Sequence, residues 1–155
     1  MVKKQFSGLE IEFWVHEGKL GKTQHSLCLF HDSLEIGSPI LEALYELRTE
    51  TRPASCKLTF AASSRKQGLL SLRLMVVPKR EDLQVMCICY DVEGAKIEMT
   101  DEGLKLLIEA FTAWLSGGED FGVSPRHSKL NPNVLGKLDR ESIELWFWGP
   151  RYVSP

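Results

Sequence analysis

Three apolar, strand-like segments in the middle of the chain restrict the fold more than any other feature of the sequence. They cover residues 57–62, 69–77 and 83–90, and polar loops of about five residues separate them. A parallel connection between strands needs a dozen or more residues, so loops this short predict an antiparallel arrangement. The third segment is apolar at both odd and even positions, which predicts a central strand covered on both faces.

Four more strands are predicted outside this region. Residues 9–16 have the clearest pattern, because apolar and mainly polar residues alternate with period two. A turn rich in glycine and lysine leads from that strand to a second one at 24–31. Shorter strands are predicted at 95–99 and 142–148. Residues 119–140 contain several glycines and prolines with little periodicity, and they predict a long surface loop.

Two helices interrupt the strands. Apolar residues recur at helical spacing after Ser38, and the pattern stops at Arg52-Pro53. A second helical stripe follows Thr100, a suitable N-cap residue. The resulting order, β-β-α-β-β-β-β-α-β, predicts an α+β fold in which a mostly antiparallel sheet carries two helices packed on one face. Residues 1–155 show no linker or repeat, so they are expected to form a single globular domain.

Charge and composition exclude some functions. The 19 basic and 21 acidic residues give a formal net charge of -2, which lacks the overall positive charge of a typical nucleic-acid or anionic-membrane binder. The basic segments 63–68 and 78–80 are interpreted as turns at opposite ends of the sheet. We therefore expect neither nucleic acid nor a membrane as a partner.

The sequence also indicates a compartment. Glu10 and Glu12 interrupt the N-terminal region before an apolar stretch reaches the length of a signal peptide, and no apolar run approaches the roughly 20 residues of a membrane helix. We expect a soluble, cytoplasmic protein. Its four cysteines lie in apolar, strand-like surroundings, which predicts buried free thiols.

No motif for catalysis or for a cofactor stands out. The sequence has no Gly-x-Ser-x-Gly nucleophile elbow, and neither two histidines nor two cysteines stand at the spacing of a local metal site. Cys28 lies between His25 and His31, but strand alternation points it away from His31. We predict no metal and no cofactor, and a non-enzymatic protein is favoured over an enzyme. One alternative stays open: a small-molecule-binding protein or small enzyme with a pocket between helix and sheet, using His25, His31 or His127.

The most unusual surface is predicted on the first and the last predicted strand, residues 9–16 and 142–148. On the face of each strand opposite its apolar residues, tryptophans share the surface with glutamates, a combination suited to a basic and partly apolar partner. The predicted binding residues are Glu10, Glu12, Trp14, Glu144, Trp146 and Trp148. The competing interpretation is that residues 119–140, or a helix, cover the tryptophans and make them part of the core.

These observations favour a protein-interaction or adaptor module that binds a protein partner or a second copy of itself. Small acidic α+β domains without catalytic motifs also occur among immunity proteins, but this similarity concerns the general class of domain and no particular residues. The sequence resembles no particular family.

Overall fold

The computed structural model describes residues 2–6, 9–17, 23–31, 37–60, 71–78, 83, 85–91, 94–116, 120–125 and 134–148. For β1, and for β2 apart from Val15, it describes the backbone only. In chain order the elements are β1 (Val2–Phe6), β2 (Leu9–Glu17), β3 (Thr23–His31), α1 (Gly37–Thr49), β4 (Ala54–Phe60), β5 (Ser71–Val76), β6 (Met86–Asp91), β7 (Gly94–Met99), α2 (Asp101–Leu115), β8 (Phe121–Ser124), β9 (Val134–Gly136) and β10 (Glu144–Phe147).

The strands form two mixed sheets rather than one. The first sheet has the order β1-β4-β5-β7-β6, and the second has the order β2-β3-β10-β8-β9. Parallel and antiparallel pairs alternate across both sheets. The α+β class and the approximate element order are therefore confirmed, while the sheets are mixed rather than mostly antiparallel.

The two helices and the buried faces of both sheets share one hydrophobic core. The helices pack against each other, α1 also contacts β4, and α2 also contacts β7. On its other side α2 reaches the second sheet, where the rings of Phe111 and Trp114 meet Phe147 edge-on at 5.2 and 5.4 Å between ring centroids. These contacts make α2 the element that joins the two sheets through their apolar faces.

Helix α2 starts as its sequence predicts. The side chain of Thr100 accepts a hydrogen bond from the backbone N–H of Gly103, and Asp101 and Glu102 lie in the first turn, where negative charge is favourable. Gly103 is needed at this position, because a Cβ atom there would lie 2.3 Å from the carbonyl oxygen of Val85. The close approach fixes the start of α2 against the segment that leads into β6.

The central strands do not form the expected meander. β4 and β5 are antiparallel as predicted, but β5 then pairs in parallel with β7, and β6 folds back beside β7. Because β6 lies within the connection from β5 to β7, the connection has the length that a parallel pair requires. β6 is also the last strand of the first sheet rather than a central one, and the side chains of Cys89 and Tyr90 are exposed.

The outer edge of β6 is covered by the segment that leads into β10. The backbone N–H of Asp139 donates to the carbonyl of Met86, and that of Ile143 donates to the carbonyl of Ile88. The N–H of Ile88 in turn donates to Oγ of Ser142 at 2.8 Å. The prediction of a long surface loop over residues 119–140 is therefore partly wrong, since this segment contains β8 and β9 and its last residues cover the edge of the first sheet.

All four cysteines are free thiols, but only two of them belong to the interior. Cys28 and Cys56 are buried, Cys87 is half-buried and Cys89 is exposed. Burial raises the pKa of the Cys87 thiol, and the neighbouring Cys89 and nearby acidic groups raise it further.

Within the described chain, neither helix has both the length and the hydrophobicity that crossing a bilayer requires.

A single arginine links the end of α1 to the start of α2. The Arg52 guanidinium donates to the carbonyls of Leu47 and Glu50 and, through two nitrogens, to Oδ1 of Asp101. The Asp101 side chain is 69% exposed, so the ion pair itself is well solvated and weak. The carbonyl contacts, which satisfy the end of α1, supply most of the stabilisation.

We predict that Arg52→Ala lowers the free energy of unfolding by about 1–2 kcal/mol, because it removes both the carbonyl contacts and the ion pair. Asp101→Asn should lower it by less, about 0.5 kcal/mol, because it removes only a solvated charge that pairs with Arg52 and favours the first turn of α2. Urea unfolding measures both values, with Lys105→Ala on the exposed side of α2 as the control. Equal losses from the two substitutions would show that the carbonyl contacts contribute nothing.

We also predict that the four thiols react in a fixed order with a water-soluble reagent at pH 8. Cys89 should react first because it is exposed, and Cys87 more slowly because its raised pKa lowers the thiolate fraction. Cys28 and Cys56 should react only after denaturation. Mass spectrometry of time-resolved alkylation measures the order, and early modification of Cys28 or Cys56 would contradict the described core.

Candidate functional site

The second sheet has a face that is separate from the hydrophobic core. In β3, Leu27 and Leu29 belong to the core cluster. Cys28 and Phe30 are also buried but are not part of that cluster. Successive residues of a strand point to opposite faces, so these two side chains lie on the far face of the sheet. We call this face the acidic-aromatic face; its described members are Ser26, Cys28, Phe30, Gly122, Ser124, Glu144, Trp146 and Trp148.

Strand β10 supplies the centre of the acidic-aromatic face. It lies between β3 and β8, with Glu144 in register with Ser26 and Trp146 in register with both Cys28 and Gly122. Leu145 and Phe147 point to the core from the same strand. The alternation predicted for residues 142–148 is therefore the one observed in β10.

The carboxylate of Glu144 accepts three hydrogen bonds on this face. Nε1 of Trp146 donates to Oε2 at 2.9 Å, and Oγ of Ser26 donates to the same oxygen at 3.4 Å. Oγ of Ser124 donates to Oε1 at 3.4 Å. The bond from Trp146 therefore places the acidic group beside the indole, whereas the two serine contacts are longer than the usual O–H···O range of about 2.5–3.0 Å and orient it only weakly.

Three aromatic rings are stacked next to this carboxylate. The Trp146 and Trp148 rings lie 5.9 Å apart at an interplanar angle of 25°, and Phe30 is stacked on Trp148 at 6.1 Å and 6°. Phe30 is buried, whereas Trp146 and Trp148 are half-buried. Each tryptophan therefore keeps part of its side-chain surface exposed while the rest packs against the protein.

The backbone of β2 extends the face beyond β3. Glu10, Glu12 and Trp14 are in register with Phe30, Cys28 and Ser26, respectively. The six predicted binding residues therefore fall on β2, on β10 and on the residue that follows β10, on either side of β3 in one sheet. The prediction that they form one binding surface stays a prediction, since the side chains of Glu10, Glu12 and Trp14 lie outside the described residues.

The competing interpretation is that residues 119–140 cover the tryptophans, but the described strands of this segment lie beside the tryptophans in the sheet. β8 and β9 continue the second sheet beside β10 instead of lying over it. The described part of this segment contacts Trp146 through Gly122, where a Cβ atom would lie 2.9 Å from Cδ2 and Cε2 of the indole. Gly122 thus lets the ring lie flat against the sheet.

Sequence reasoning missed Ser26, Phe30, Gly122 and Ser124 as members of this face. The signal for Phe30 was present, because residues 26–30 are apolar or small at both odd and even positions. That pattern is typical of a strand covered on both sides, and β3 is buried throughout this stretch. The two serines and Gly122 carry no local signal, since only the pairing of β3, β10 and β8 brings them to Glu144.

A groove lies between α2 and the edge of the second sheet, with a volume of about 250 Å³. Its lining residues are Leu106, Glu109, Ala110, Ala113, Val123, Leu135 and Lys137. The expected pocket between helix and sheet therefore has a counterpart, but its volume is below the roughly 300 Å³ where ligand pockets usually begin. His25 is exposed and does not line it; the side chain of His31 and the whole of His127 lie outside the described residues.

In the described segments, no three histidine, cysteine, aspartate or glutamate side chains are grouped to hold a metal ion. No protein-family model, curated protein or solved structure matches this chain.

We predict that Gly122→Ala lowers the free energy of unfolding by about 1–3 kcal/mol, because the new methyl group must displace the Trp146 ring. In a Trp146→Ala background the same change should cost less than about 0.5 kcal/mol, since the obstructing ring is gone. Urea unfolding of wild type, the two single variants and the double variant gives the coupling free energy between residues 122 and 146. An equal cost in both backgrounds would show that the indole does not pack on Gly122.

Proposed function

We propose that this chain is a non-enzymatic protein-interaction or adaptor module. Its binding surface is the acidic-aromatic face extended by the corresponding positions of β2, so that Glu10, Glu12, Trp14, Glu144, Trp146 and Trp148 contact the partner. The proposal includes a cytoplasmic location, which the four free thiols support.

One observation carries the proposal: two half-buried tryptophans are stacked beside a carboxylate that accepts a hydrogen bond from one of the indoles and two longer ones from serines. Rigid aromatic rings provide contact area at a low entropic cost, and tryptophan is enriched among the residues that contribute most to binding. The ordered Glu144 adds a directional acceptor for a lysine or arginine. We therefore expect a partner segment that is basic and partly apolar.

The alternative of a small-molecule-binding protein or enzyme has less support. The groove beside α2 is small, and its described lining offers only Glu109 and Lys137 as charged groups. A binding pocket usually combines apolar walls with several convergent polar groups. The acidic-aromatic face has the stronger arrangement of ordered polar and aromatic groups.

We predict that a Trp146→Ala/Trp148→Ala variant recovers at least about tenfold less partner protein than wild type, because it removes the aromatic contact area. Glu144→Gln should reduce recovery about threefold or more, since it removes the charge and keeps the volume. Affinity capture from lysate with quantitative mass spectrometry measures both effects.

The matched control is Tyr45→Ala, which removes an exposed aromatic ring from α1 and leaves the second sheet unchanged. Circular dichroism and cooperative melting verify that each variant is folded. The interaction hypothesis fails at these residues if the tryptophan double variant and the Tyr45→Ala control recover the same partners in the same amounts.

A further inference from the structure

The first sheet also has a face that points away from the core, and its charge is opposite. Lys57 on β4 is in register with Arg73 on β5, which is in register with Lys96 on β7. Each of the three is half-exposed between buried chain neighbours. The buried neighbours are Cys56, Leu58, Leu72, Leu74, Ala95 and Ile97. Three cations on three adjacent strands therefore share the outer face; we call them the basic row.

The backbone register extends the basic row at one end, and at the other end the row stops at a cysteine. Lys3 on β1 is in register with Lys57, and Cys89 on β6 is in register with Lys96. Neighbouring strands lie about 4.8 Å apart, so the distance from the backbone of Lys3 to that of Lys96 is about 14 Å. Like charges directly opposite one another destabilise a sheet. An anion bound over the row would relieve that repulsion.

The face already engages one carboxylate. Glu98 lies on the strand of Lys96, and its Oε2 is 3.8 Å from Nζ of Lys96. Among the side chains described on this face, Glu98 is the one acid. Arg73, at the centre of the row, carries a planar guanidinium that can hold a carboxylate through two hydrogen bonds. The arrangement is suited to a chain of carboxylates.

We propose that the basic row is a second binding site, which takes an acidic segment of a partner polypeptide. In an extended segment, carboxylates on alternate residues recur about every 6.7 Å, within reach of the long lysine and arginine side chains. This site is independent of the proposed function, because it lies on the other sheet and takes the opposite charge. A module with both sites would connect a basic partner to an acidic one.

The composition of the face favours a polypeptide over nucleic acid. The face that carries the basic row has no aromatic side chain among its described residues, since the exposed Tyr90 alternates onto the face of Met86 and Ile88. Sheet surfaces that bind single strands stack bases on aromatic rings. A duplex groove admits a helix or a two-stranded ribbon, and five strands side by side are too wide for it.

Fluorescence anisotropy with a labelled peptide of alternating glutamate and serine tests the proposal. Wild type should bind this peptide, and a Lys57→Gln/Arg73→Gln variant should bind it about three- to tenfold more weakly, because two contacts are lost. The matched control is Lys105→Gln/Arg140→Gln, which removes the same charge from exposed positions outside the first sheet and should change affinity less than about twofold.

Three results would overturn the proposal: no binding of the acidic peptide by wild type, equal weakening in both double variants, or tighter binding of an oligothymidylate than of the peptide. If the Lys57→Gln/Arg73→Gln variant does not melt cooperatively, Lys57→Gln is compared with Lys105→Gln; the first should weaken binding about two- to threefold and the second should leave it unchanged. A peptide of alternating lysine and serine, which the acidic-aromatic face would prefer, should bind equally to wild type and to these variants.

Discussion

The parallel pairing of β3 with β10 is the contact on which both the core and the proposed binding surface depend. It brings together Ser26 and Glu144, which are 118 positions apart in the sequence. On one face it contributes Leu27, Leu29, Leu145 and Phe147 to the core, and on the other it places Trp148 on Phe30. Helix α2 secures the end of β10, because Nε1 of Trp114 donates to the carbonyl of Trp148. One strand pair thus couples core packing to surface geometry.

Local sequence patterns predicted most of the elements because their signals are local. The alternation in β2 and the cap of α2 at Thr100 each lie within a few residues. The existence of two sheets could not be read in this way, since it depends on which strands pair across long stretches of chain. β9 was missed because it has only three residues, and its pairing with β8 gives it strand structure that its own sequence does not indicate.

The same distinction applies to the two surfaces. Alternation within residues 142–148 identified Glu144, Trp146 and Trp148, whereas the partners that hold them are supplied by β3 and β8. The basic row could not be predicted from local sequence for the same reason. Lys57, Arg73 and Lys96 are single charges in three separate segments, and only the pairing register of β4, β5 and β7 places them side by side. A net charge of -2 describes the whole chain and conceals a sheet face of the opposite sign.

The central place of β10 in the second sheet has a consequence for biosynthesis. The hairpin of β2 and β3 can form as soon as it leaves the ribosome, but the other edge of β3 has no neighbour until residues 144–147 have been made. Throughout that interval Phe30 lacks the ring of Trp148, and the open edge of β3 can pair with another nascent chain. Rapid translation or chaperone binding during this interval would favour the correct sheet over aggregation.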